Sequence, residues 1–95
     1  MLLAKVRGTL VATQKEESLE GLKFMVCEQL GIDGRPLGKY VVAADGVGAG
    51  VGEVVMYASG SCGRYTTYTK NRPCDAVIMA IVDTLEVEGR VVYQK

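Results

Sequence analysis

The sequence predicts an all-β domain, a small five-stranded barrel with a short helix and a C-terminal strand or hairpin extension. Three observations lead there. Apolar and polar residues alternate at period two from the first residues onward, turn-forming pairs interrupt the alternation at short intervals, and glycines crowd the middle of the chain at 46, 48, 50, 52, 60 and 63. Short strands with little helix must curl up to hide their edges, and closure into a barrel is the general solution.

Taking the elements in order, the even positions Leu2, Ala4, Val6, Gly8, Leu10 and Ala12 are apolar or small, while Lys5, Arg7, Thr9 and Thr13 take odd ones. A half-buried strand over 2–12 follows, with Gly8 as the place where it bends or bulges. The polar stretch 14–21 reads as a loop, with one helical turn possible near Ser18. A second strand spans Leu22 to Leu30, and Asp33-Gly34 before Arg35-Pro36 is turn chemistry joining it as a hairpin to a third strand over Lys39 to Ala44. Asp45-Gly46 ends that strand, the glycine corner follows, and Glu53 to Ser59 forms a fourth. Ser61 to Asn71 is polar and carries Tyr65 and Tyr68, and it is the place for a short helix or an exposed loop. Ala76 to Val82, AVIMAIV, has no polar face and must be covered on both sides by the barrel or by another chain. LEVE and RVVYQ then pair across Glu88-Gly89 as a terminal hairpin or projecting strand. Five barrel strands of this length and order suit an OB-like architecture.

At 95 residues the chain is one domain, 1–95, and a chain of this size buries on the order of 60 to 65% of its unfolded surface. Basic and acidic residues balance at 11 each, so no net field draws nucleic acid or an anionic membrane. The 48% hydrophobic content is high for so small a domain, and part of it is expected in a protein interface. No basic segment leads into a long apolar one, so the reading is cytosolic, without signal peptide or membrane span.

Chemistry is sparsely provided. Histidine is absent, and Cys27, Cys62 and Cys74 lack CxxC spacing, which argues against a zinc site, a disulfide framework or general acid–base catalysis. The glycine corner is no phosphate cradle: counted from Gly46 or Gly48, the third glycine of G-x-G-x-x-G falls at Val51 or Glu53. Asp45, Glu53, Asp75 and Asp83 sit at strand ends, where carboxylates commonly satisfy local backbone donors. Gly60-Ser61-Cys62-Gly63 is not a nucleophile elbow and has no base to serve it. Two other classes stay open on the residues alone. An OB-fold single-stranded nucleic-acid-binding module would use Arg64, Tyr65, Tyr68, Lys70 and Arg72, and a thiol-dependent enzyme would use Cys62.

VGAGVGEVV, YASGS and CDAVIMAIVD carry a family resemblance. They are similar to the pentameric vertex proteins of bacterial microcompartment shells, the EutN/CcmL family of carboxysomes and catabolic metabolosomes. The likeness extends along nearly the whole chain. The motif D-x-V-G-A-G-x-G-E is present as Asp45, Val47, Gly48, Ala49, Gly50, Gly52 and Glu53, and Thr13, Lys15, Leu19, Gly21 and Lys23 match the first loop. Of S-G-S-[SA]-[AG]-R the chain keeps Ser59, Gly60, Ser61 and Arg64 but has Cys62 and Gly63 between them. The resemblance implies an OB-like barrel in a cyclic homopentamer that caps the five-fold corners of a shell tiled by hexameric shell proteins, a structural protein with no catalytic residue, cofactor or metal, and no nucleic-acid or membrane partner. It implies that Gly46, Gly48, Ala49, Gly50, Gly52 and Glu53, or Gly60, Ser61, Cys62 and Gly63, lie at a subunit seam or line a narrow axial opening. Ile78 and Ile81 of the apolar strand, with Val91 and Tyr93 of the tail, would contribute to the interface. The cytosolic setting and three cysteines fit a carboxysome as well as a catabolic metabolosome, and the reading leans to the latter.

Overall fold

Seven strands make up the computed structural model, which describes residues 1–12, 17, 21–60 and 76–95: β1 (Leu2–Leu10), β2 (Phe24–Leu30), β3 (Pro36–Asp45), β4 (Val54–Ser59), β5 (Ala76–Ile81), β6 (Thr84–Val87) and β7 (Arg90–Gln94). The first five close into a barrel in the order β1-β2-β3-β5-β4, with β4 returning to β1, and β6 and β7 form a separate two-stranded sheet. All pairings are antiparallel except β3 with β5. The described residues contain no α-helix, and none of them forms a helix long and apolar enough to cross a membrane. The stretch expected to hold a short helix, Ser61 to Asn71, lies outside the described residues, as does Ser18.

Period-two alternation decides which side chains fill the barrel. Ala4 and Val6 of β1, Met25 and Cys27 of β2, Ala43 of β3, Val55 and Tyr57 of β4, and Ala76 and Ile78 of β5 all point into one core, with Ala49 from the glycine corner. Full burial of side chains such as Val6, Val55 and Ile78 contributes about 1.5–3 kcal/mol each. A second, smaller cluster of Leu22, Ala44, Ala58 and Val77, with Phe24 against it, covers part of the barrel's outer wall. Ala76 to Val82 is therefore two-faced after all: Ile78 looks inward and Val77 outward, and both are buried. Beyond them Met79 is 36% exposed and Ala80, Ile81 and Val82 are half-buried, so this chain alone does not cover the whole strand.

The bend expected at Gly8 is where the β1–β2 register shifts, between Val6 and Gly8. The β2–β3 hairpin forms across Gly31 to Arg35, where the Asp33 carboxylate accepts the Arg35 N–H at 3.0 Å and Gly34 donates to the Gly31 carbonyl at 2.9 Å. β2 starts at Phe24 rather than Leu22, because Leu22 is drawn onto the outer cluster, and β3 starts earlier, at Pro36. β3 meets β5 only at Ala44 and Asp45, so among the described residues Pro36 to Val42 has a strand on one side alone. Gly38 within that stretch has φ +73°. Arg7 and Glu28 tie β1 to β2, with Nε and Nη2 both 2.9 Å from Oε1.

The core holds one uncompensated polar atom: Tyr57 is 1% exposed, and its hydroxyl has no hydrogen-bond partner among the described residues. Burial, and to a lesser degree nearby Cys27, raises the phenol pKa above its ordinary value. Cys27 is equally enclosed, and burial, with Asp45 adding, pushes its thiol up to about 11, so it is a small apolar filler and not a nucleophile. Tyr57→Phe is expected to raise stability by about 1 kcal/mol, since removing an orphaned buried hydroxyl removes its desolvation penalty. Thermal or urea unfolding measures this, and a loss of stability would mean that the hydroxyl has a partner.

Candidate assembly surface

Asp45 ends β3 and builds the glycine corner around its own carboxylate. Oδ1 accepts the N–H groups of Val47 and Gly48 at 3.0 and 3.1 Å, and Oδ2 accepts that of Ala49 at 3.0 Å. The residue is 3% exposed, so three backbone donors that could not all reach water are satisfied by one side chain. Ala49, 4% exposed, is thereby pressed into the barrel core, and it offers little surface to a neighbour. The chain then turns from Gly50 to Glu53, with the Glu53 N–H on the Gly50 carbonyl at 3.1 Å. Gly52, the third residue of that turn, has φ +93°, which a type II turn requires and a side chain resists. Glu53 reaches back through Oε1 to the Gly50 N–H at 2.6 Å. Two bonds at 2.8 and 2.9 Å, from the Gly52 N–H to the Val6 carbonyl and from the Val6 N–H to the Glu53 carbonyl, seat the corner on β1.

A rigid corner results, carrying two apolar side chains outward: Val47 is 43% and Val51 64% exposed. At Gly48 and Gly52 an added Cβ would meet nothing within 4 Å, and at Gly50 only the Glu53 carboxylate at 3.3 Å. Backbone dihedral angle, rather than crowding inside this chain, therefore accounts for Gly48 and Gly52. Gly46 lies on the exposed bend after Asp45, and Gly60, with φ +64°, closes β4. Ser61, Cys62 and Gly63 lie outside the described residues, as does the Arg64 to Arg72 cluster.

The strand candidates separate. Ile78 is 2% exposed and belongs to the core, so it has no surface to give a neighbour; Ile81, packed partly against the core, is half-open. Val91 is 55% exposed and Tyr93 half-buried on the β6–β7 arm. That arm projects, and the molecule measures 46 × 23 × 21 Å. Its turn runs through Glu88 and Gly89, both with positive φ, which is the geometry of a tight two-residue hairpin. The arm exposes Val91 and Val92, and the Val92 carbonyl lies beside Gly34 of the β2–β3 turn, 3.5 Å from where a Cβ there would sit. One apolar surface escaped the sequence reading: Leu37, Tyr40 and Val42 are exposed on β3 beside its open stretch. Tyr40 and Val42 alternate with inward Val41 and Ala43, a signal present in the sequence but indistinguishable there from a second buried face.

The family model described as ethanolamine utilisation protein EutN/carboxysome matches residues 1–83. The chain belongs to the EutN/CcmL family. It is 52% identical to the carboxysome shell vertex protein CcmL of Synechococcus elongatus, over 100% of this chain and 96% of that protein. Among solved structures, CcmL of Gloeobacter violaceus is 45% identical with a TM-score of 0.95, over 100% of this chain and 98% of that one. The GrpN pentameric microcompartment shell protein of Rhodospirillum rubrum is 42% identical with a TM-score of 0.83, over 92% and 99%. These EutN/CcmL relatives carry the same barrel, and those named are shell proteins rather than enzymes.

Proposed function

We propose that this EutN/CcmL chain is a structural shell protein that assembles as a cyclic homopentamer and caps the five-fold vertices of a bacterial microcompartment in the cytoplasm. The observation that carries the reading is the likeness over almost the whole chain to a pentameric microcompartment shell protein, GrpN. Identity is higher to the carboxysome relative, 52%, than to the microcompartment shell vertex protein EutN of Salmonella typhimurium, 37%, which favours a carboxysome over the catabolic metabolosome toward which the sequence leaned.

Mechanism here is geometric. A flat lattice of hexagonal tiles gains closed curvature only where pentagons replace hexagons, so hexameric shell proteins are the partners this role requires. Cyclic assembly is heterologous, one patch meeting a different patch on the next subunit. Distinct apolar patches support such a seam: Met79 and Ile81 at the uncovered end of β5, Val91 and Tyr93 on the arm, and Val47 and Val51 on the corner. We assign Gly46, Gly48, Gly50 and Gly52, or the Gly60 to Gly63 corner, to the approach toward the five-fold axis. Arg35, 85% exposed in its side chain, is a candidate for the rim that meets a hexamer edge.

Native mass spectrometry over a dilution series tests the pentamer, and a dominant species of five chains is expected. A monomer at every concentration would overturn the reading. Co-expression with a hexameric shell protein tests the vertex role: closed polyhedra should form with this chain present, and open sheets or tubes without it.

A further inference from the structure

Two parts of the chain far apart in sequence meet at one carboxylate. Glu53 Oε1 accepts the Gly50 N–H of the corner at 2.6 Å, while Oε2 lies 2.8 Å from the ammonium of Lys95, the residue following β7. The base of the arm is gathered at the same place. Val82 donates its N–H to the Val54 carbonyl at 2.8 Å just before β6 begins, and the Lys95 N–H donates to the Asp83 carbonyl at 2.8 Å where β7 ends. Both feet of the arm thus stand on the Glu53-Val54 segment, the outgoing one by backbone and the returning one by the Glu53–Lys95 ion pair.

We infer that Glu53 is a positioning residue that clasps the arm to the glycine corner, so that the arm's direction and the corner's conformation are set together. The backbone bond at Val82 holds the outgoing foot and the Glu53–Lys95 pair holds the returning one, while further out the Val92 carbonyl lies beside Gly34 of the β2–β3 turn. Because Oε1 and Oε2 belong to one rigid plane, displacing Lys95 rotates the oxygen that holds Gly50, and disturbing the turn at Gly50 to Glu53 moves the group that holds the arm. Its consequence for assembly rests on the pentamer reading above: corner and arm would present their apolar side chains, Val51 and Val91, to neighbours in a fixed relative orientation. The clasp itself does not depend on that reading.

Electrostatics agree with the geometry. The Lys95 ammonium, and then the Gly50 N–H, hold the Glu53 carboxyl below its ordinary value of 4.5. Glu53 raises the Lys95 pKa above 10.5, with Asp83 and Tyr93 adding to the effect. A lowered carboxyl pKa stabilises above the ordinary carboxyl value and is lost as pH falls through the folded one; a raised ammonium pKa stabilises below its ordinary value and is lost as pH rises past the folded one. The clasp is therefore closed across the neutral range, opening in acid below pH 4.5 and in alkali above pH 10.5.

The test is Lys95→Met in the full chain, followed at the Gly50 amide by NMR. In the wild type, the short bond to a carboxylate places the Gly50 amide proton downfield and slows its exchange. The variant is expected to shift that signal upfield and to speed its exchange about two- to fivefold, the scale of one exposed ion pair. The Glu53 carboxyl titration is expected to move up toward its ordinary value. Lys95→Arg should restore both, and in a Glu53→Gln background Lys95→Met should change the Gly50 amide little further, because Lys95 acts on Gly50 only through the carboxylate. An unchanged Gly50 amide and an unchanged Glu53 titration in Lys95→Met would overturn the clasp. Native mass of the same samples reports the pentamer separately, so a wild type that fails to form five chains refutes the assembly reading while leaving the amide readout to decide the clasp.

Discussion

Asp45→Ala is expected to destabilise the chain by about 3 kcal/mol or more, a large share of the roughly 5–15 kcal/mol that holds a domain of this kind together. The side chain accepts three backbone N–H bonds while only 3% exposed, and alanine would leave the buried Ala49 donor without an acceptor and the part-buried donors of Val47 and Gly48 to whatever water reaches them. Ala49 would suffer most, since its N–H bond is buried and its methyl group seals the core. Asp45→Asn is the informative companion. It keeps one acceptor oxygen for Val47 and Gly48 but turns an amide N–H₂ toward the Ala49 donor, so an intermediate loss is expected. Urea unfolding of the three proteins measures the series, and a difference of under about 0.5 kcal/mol for Asp45→Ala would refute the organising role.

Val91→Glu separates folding from assembly. Val91 is 55% exposed, so a carboxylate there leaves the isolated chain within about 0.5 kcal/mol of its starting stability. At a subunit seam the same carboxylate would be buried without a partner, a penalty of several kcal/mol, and the five-chain species should dissociate at a concentration raised at least about a hundredfold. Light scattering and native mass against concentration provide the measurement. A variant that assembles like the wild type would remove Val91 from the seam without touching the pentamer itself.

Local chemistry made part of this legible. Alternation with Gly8 in its midst gave a bent first strand, and Asp33-Gly34 gave the hairpin, because each signal is contained within a few residues. Strand ends were less readable. Leu22 leaves its strand for a distant cluster with Ala58 and Val77, and no neighbour in sequence announces that. The unbroken apolar run of β5 hid its own alternation, which is why Ile78 read as interface material and proved to be core. Glu53 was recognised from the motif and as a residue at a strand end, yet its partner Lys95 could not be, since an ion pair between distant residues leaves no periodic trace. The Ser61 to Gly63 half of the expected site lies outside the described residues.

The open stretch of β3 has a bearing on solubility at the crowded surface of a shell. An unpaired strand edge invites a second chain to extend the sheet without limit, which leads to fibres. Here the edge begins with Pro36, which has no N–H to donate, continues through Gly38 at φ +73°, where the backbone departs from an extended line, and carries exposed Lys39. Like charges would face one another if two such edges met. The exposed Leu37, Tyr40 and Val42 beside it are thus available to side-chain packing and poorly suited to backbone ladders. An edge built this way disfavours open-ended backbone pairing and leaves side-chain faces as the surfaces suited to contact between chains.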